Sequence, residues 1–411
     1  MSLVIRLSMD TPKKGLLSRM SNSEIIDTVA ETIGDRARWW VGSGGSGGWI
    51  SLNLFPTAEN LVVKMDKGRI VAEISTTGSG PGFHQHVCKL LDDISDELGS
   101  DWEAAPGDDT GYYEDRNTEK LQRTFLDWLE DVGNAILGQK QTAHFDEGGS
   151  VRLCMDVHTQ FQCDAPVLTN LGPRDLAWAE SVARDSWLHR DFFPWWNEEP
   201  DAHDHLQKAL LMLWSEQTWR QPEIDFESGL NHDIHQTLLR AEQDPSLVIP
   251  YREWLEILPW ISDVSDADKA RIKERASTAQ GDLIGYRRNP IQQRFGLGWF
   301  ANFPGSFRLD ETNPEADYMI GPGVEIRVKV LTQFNPNLLQ ETDFEPGTEF
   351  GTIPITDGNG HTVVTPDGTA ILFAQAGKTA IMASCCHLRE GVNGDCLEWL
   401  VSFDHEPPAV N

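Results

Sequence analysis

Apolar and polar residues alternate along Leu3, Ile5, Leu7 and Met9, so the chain opens as a strand with one buried face. Ser21-Asn-Ser-Glu24 then precedes Ile25, Ile26, Val29 and Ile33 at helical spacing, with Ser21 or Ser23 as the cap and Gly34 as the stop. Two apolar runs, 38–41 and 49–55, flank the glycine-rich stretch 42–48, and this predicts a hairpin with a long mobile tip. Residues 61–65 and 69–74 predict a second hairpin around Asp66-Lys-Gly68. Helices over about 83–98 and 118–136 complete a β-α-β-β-β-β-α-α order, which suits an antiparallel sheet covered by helices.

The texture changes near Gly148. Residues 151–165 read as extended, and 173–280 as mainly helical and broken by prolines. Here Leu176, Ala179, Ala183, Trp187 and Leu188 keep helical spacing. Beyond about residue 285 strands dominate, at 324–330, 362–364, 370–373, 379–382 and 397–403. The pairs Asp357-Gly358, Asn359-Gly360, Asp367-Gly368 and Asn393-Gly394 are the expected turns between several of them.

The pattern therefore predicts an α+β protein in three regions. An N-terminal antiparallel sheet with covering helices spans 1–148, a mainly helical region 149–283 and a β-rich domain 284–411. Charge sharpens this picture. The formal net charge of −30 divides as −10, −11 and −9 over residues 1–150, 151–280 and 281–411, so it belongs to folded surfaces rather than to a tail. No basic run exists to neutralise nucleic-acid phosphates, and an anionic membrane surface would repel the chain. No apolar window reaches the ~20 residues of a membrane span. Six cysteines without a C-x-x-C pair, and no leader-like start, point to a cytoplasmic protein with reduced thiols.

Candidate chemistry is sparse. In Ser75-Thr-Thr-Gly-Ser-Gly-Pro-Gly-Phe-His-Gln-His86 a strand enters a glycine-rich turn and then a helix. Gly78, Gly80 and Gly82 could aim backbone N–H groups at an anion, with His84 and His86 beside it, although neither P-loop nor dinucleotide spacing is present. Gly44-Gly-Ser-Gly-Gly48 has the G-x-S-x-G spacing of a nucleophile elbow, but strand-like residues follow it where a helix is required. Tyr112, Tyr113 and Arg116 in an acidic loop, and Trp195 and Trp196 in Phe192-Phe-Pro-Trp-Trp196, are residue types common at binding hot spots. His203, His205, His232 and His235 could serve as metal ligands only if the fold brings them together. Cys386 and His387 are strand neighbours on opposite faces and make no dyad.

Two readings follow. The first is a non-enzymatic interaction protein whose acidic surface docks a basic protein, of a binding, inhibitory or immunity type, with no cofactor. The alternative is a hydrolase, using either a histidine-held divalent metal or a phosphorylated ligand at the 78–86 turn.

Overall fold

The computed structural model describes residues 2–13, 19–44, 48–141, 150–156, 158–310, 317–332, 345–388 and 396–406. The fold is α+β, and it divides into two compact units. One comprises Met1–Met155, Cys163–Glu216 and Leu230–Gly285, the other Asp156–Gln162, Gln217–Gly229 and Tyr286–Asn411.

The first unit is built on an antiparallel sheet. Its strands are β1 (Val4–Asp10), β2 (Trp39–Gly44), β3 (Trp49–Asn53), β4 (Leu61–Asp66), β5 (Arg69–Ser75) and β6 (Glu103–Asp108), in spatial order β2-β3-β4-β5-β1-β6. The period-two pattern puts Leu7, Ala72, Val63 and Ile50 opposite one another in a continuous cross-strand row, and all four are buried. Helices α1 (Asn22–Ile33) and α2 (Pro81–Leu98) bury Ile25, Val29 and Ile33, and Phe83, Val87 and Leu91, respectively. Ser21 caps α1 in a capping box with Glu24. The tip of the first hairpin, including Ser46, lies outside the described residues.

Strand β6 corrects the expected order. Pro106 and Gly107 make this segment look like a turn, yet it pairs with β1 on the sheet edge, with a register shift, where a proline is tolerated. After the short helix α3 (Tyr112–Asp115) comes α4 (Thr118–Gln141). Gly133 of α4 allows close approach to the next long element, because a Cβ there would sit 2.9 Å from the backbone nitrogen of Ala183. Next come β7 (Val151–Leu153), β8 (Thr159–Phe161, which belongs to the second unit), β9 (Val167–Thr169) and β10 (Gly172–Arg174). The mainly helical stretch then runs through α5 (Leu176–Arg184), α6 (Ala202–Leu211), α7 (Asp225–Ala241), α8 (Tyr251–Ile257) and α9 (Asp266–Ala276).

The second unit is β-rich. β11 (Ile291–Gly296) and β12 (Trp299–Phe303) join β8 and a C-terminal strand, Phe403–His405, in one sheet. The larger sheet contains β13 (Arg308–Asp310), β14 (Asp317–Gly321), β15 (Val324–Leu331), β16 (Glu349–Ile355), β17 (Gly358–Val364), β18 (Ala370–Ala376) and β19 (Thr379–His387). Ile326 and Val328 of β15, Leu372 of β18 and Ala383 of β19 are buried with Trp299, Phe303 and Phe307.

Two local expectations change here. Leu397–Leu400 belongs to a helix, α10 (Cys396–Leu400), before the final strand begins at Phe403. A short apolar run does not by itself separate helix from strand, and this one buries Leu400. Asn359-Gly360 lies inside β17 and is not a turn. The chain reverses at Thr356-Asp357, and a Cβ at position 360 would meet Ile353 on the neighbouring strand at 2.6 Å. Asn393-Gly394 is outside the described residues.

Candidate functional site

The ends of β1, β5 and β6 meet the first turn of α2 at one edge of the first unit. Ser75 of β5 pairs with Val4, and Asp108 of β6 pairs with Ile5. The glycine-rich turn between β5 and α2 is closed by other parts of the chain. Gly82 N–H donates to the Trp195 carbonyl at 3.1 Å, and Trp195 N–H donates to the Ser79 carbonyl at 3.0 Å. A Cβ at Gly80 would lie 2.5 Å from the Trp195 oxygen, one at Gly82 2.1 Å from the Asn197 oxygen, and one at Gly78 2.5 Å from Cys154 Cβ. Gly80 also adopts φ +107°, which disfavours a side chain. These glycines thus let the 195–197 segment and Cys154 pack directly onto the turn.

His84, one turn into α2, is fully buried. Its Nδ1 lies 2.8 Å from Thr76 Oγ1, and its Nε2 lies 3.1 Å from Asp108 Oδ2 and 3.2 Å from Thr110 Oγ1. The backbone N–H groups of Thr110 and Tyr113 each donate to the Asp108 carboxylate at 2.9 Å. Burial works to raise the Asp108 pKa, but His84 and these donors outweigh it and hold the carboxyl at about 2. Cys88 lies one helical turn beyond His84 on the same face, and burial followed by the Asp108 charge pushes its thiol well up. His86 faces another way, its ring tilted 34° against Trp195 with the centroids 5.0 Å apart. Burial first, then Arg36 and Lys89, lower its pKa.

The other residues singled out from the sequence are dispersed. Tyr112 is buried, while Arg116 covers the Tyr113 ring at 4.6 Å and pairs with Asp92 at 2.8 Å. Trp195 packs on Phe55 and Phe83, and Trp196 on Phe193. Among the described residues the four histidines do not form one ligand group. His203 lies with Asp201 and Asp204, and His235 Nδ1 accepts from the indole of Trp254 at 3.0 Å. His387 faces Cys396 Sγ at 3.6 Å, a contact across the 389–395 segment that strand parity alone does not reveal.

The exposed face at Trp187 and Leu188 departs most from the sequence pattern. Both side chains continue the apolar spacing of α5, yet that helix stops at Arg184 and a 3₁₀ stretch, Ser186–Phe192, follows. Asp185 between them has non-helical backbone (φ −155°, ψ 87°), and this break in the helix loses the phase, leaving Trp187 52% and Leu188 68% exposed. On one side of Trp187 lies a hollow of about 500 Å³, with Trp196 edge-on to Trp187 at 6.2 Å and Asp191 and Asp201 among its lining residues. A second hollow of about 570 Å³ shares Trp187 and includes Glu119, Glu130 and Asp185. Asp204 holds the first hollow in shape, since its carboxylate accepts from Trp196 N–H at 2.9 Å and from Asn197 Nδ2 at 3.1 Å.

The chain matches no protein-family model and no curated protein. Among the described residues no helix is long and apolar enough to cross a membrane.

Proposed function

We propose that this chain is a binding protein whose acidic first unit docks a segment of a basic protein at the Trp187–Leu188 face. The observation that carries the reading is the adjacent exposure of a tryptophan and a leucine between two hollows. An exposed Trp beside concave, partly apolar ground is the usual form of an interaction hot spot. Charge selects the partner. The first hollow carries Asp191 and Asp201 against Arg190, and the second Glu119, Glu130 and Asp185 against Arg123 and Arg184. A Lys or Arg side chain entering the first hollow gains carboxylates and an aromatic wall together. The fully buried position of His84 and the chain-filled glycine turn favour this reading over the hydrolase alternative.

The test is selection from a random peptide library on the full chain. Enrichment of Lys- and Arg-bearing peptides whose retention fades with salt supports the reading. A pool without basic enrichment contradicts it.

A further inference from the structure

We propose that His84, Cys88 and Asp108 form a buried zinc site that ties α2 to the end of β6. Their donor atoms all lie within 4.8 Å of one another, and the set of imidazole, thiol and carboxylate is one that zinc accepts. His84 and Cys88, at i and i+4, present two donors from one helical face, while Asp108 supplies the third from the strand beside it. Thr110 Oγ1, 3.2 Å from His84 Nε2, stands next to the same group.

The surroundings have the form of outer-sphere support. Thr76 Oγ1 meets the other ring nitrogen of His84, and two backbone N–H groups fix the Asp108 carboxylate. Thr76 Oγ1 also lies 3.4 Å from the Leu3 carbonyl, so the hydroxyl can donate there while accepting from His84 Nδ1–H. In that tautomer the Nε2 lone pair is free to bind a metal ion beside the Asp108 carboxylate, in place of the Nε2–H that donates to Asp108 Oδ2 in the metal-free chain. A proton on Nε2 is the competing arrangement, and it leaves Cys88 as a mere packing thiol. Zinc binding would release the Cys88 thiol proton to solvent, giving a thiolate, an imidazole and a carboxylate on one Zn²⁺.

The experiment uses the full chain, stripped of metal with a chelator and titrated with Zn²⁺ alone and, separately, with Co²⁺. We expect one zinc per chain, a higher melting temperature with zinc, and a thiolate-to-cobalt charge-transfer band. Cys88→Ala should remove the band and the stoichiometric zinc, whereas Cys396→Ala should keep both. If Cys88→Ala does not fold, X-ray absorption of the zinc-loaded native chain decides instead, with one sulfur and the remainder nitrogen or oxygen expected. Failure of the native chain to retain zinc, binding that survives Cys88→Ala, or a shell with two or more sulfurs would overturn the proposal.

Discussion

The indole N–H of Trp254 on α8 donates to Nδ1 of His235 on α7 at 3.0 Å, and both side chains are buried. This bond requires an unprotonated Nδ1. Burial lowers the His235 pKa below its ordinary 6.5, with His232 and Arg271 acting in the same direction and Asp268 opposing them. The folded state therefore binds a proton less readily than the unfolded chain. Stability falls as pH drops through the unfolded value near 6.5, and the loss levels off below the folded pKa. Melting curves between about pH 7.5 and 5.5 should show this decline, with a shallower slope in His235→Asn. At neutral pH, His235→Leu leaves a buried indole donor unpaired and should cost about 1–3 kcal/mol by denaturant unfolding.

Arg38 and Glu216 form a two-point ion pair at 3.0 and 3.2 Å, each side chain only 9% exposed, and Glu216 also accepts from Thr57 N–H. Arg38→Met strands a buried carboxylate and should destabilise the first unit by about 3–5 kcal/mol. The double change Arg38→Met with Glu216→Leu should recover much of that loss, because the buried carboxylate leaves with its partner and Asp233, 3.9 Å from Arg38, is half-exposed to water. Unfolding of the four proteins in a double-mutant cycle measures the coupling directly.

The turn ahead of α2 gives a sharper steric prediction. Gly82→Ala places a methyl group 2.1 Å from the Asn197 carbonyl, so the 195–197 segment must shift. The expected cost is about 1–3 kcal/mol, read by chemical denaturation. Gly99→Ala removes the left-handed end of α2 without any close neighbour and should cost less than Gly82→Ala.

Much of the first sheet was legible because its strands obey a period of two over a one-sided core. Leu7, Ala72, Val63 and Ile50 fall on one row with no tertiary information beyond alternation. β6 escaped because its edge position tolerates a proline that interior strands reject. Trp187 and Leu188 keep the helical spacing of α5 in the sequence, but the helix ends at Arg184 and the non-helical backbone of Asp185 loses that phase. The His84–Asp108 contact joins residues 24 apart, and only the convergence of α2 with β6 creates it. The i, i+4 spacing of His84 and Cys88 is the part of that cluster visible in the sequence. The hollows beside Trp187 depend on side chains from different elements and have no linear signature.

The central claim rests on Trp187, whose exposure allows truncation without opening the core. A Lys- or Arg-bearing peptide selected on the native chain should be titrated calorimetrically into that chain and into Trp187→Ala, at low and high salt. Loss of a hot spot worth about 2 kcal/mol predicts affinity about thirtyfold weaker in the variant, with salt weakening the native complex as well. Equal affinity for the native chain and Trp187→Ala would place the contact elsewhere and contradict the account.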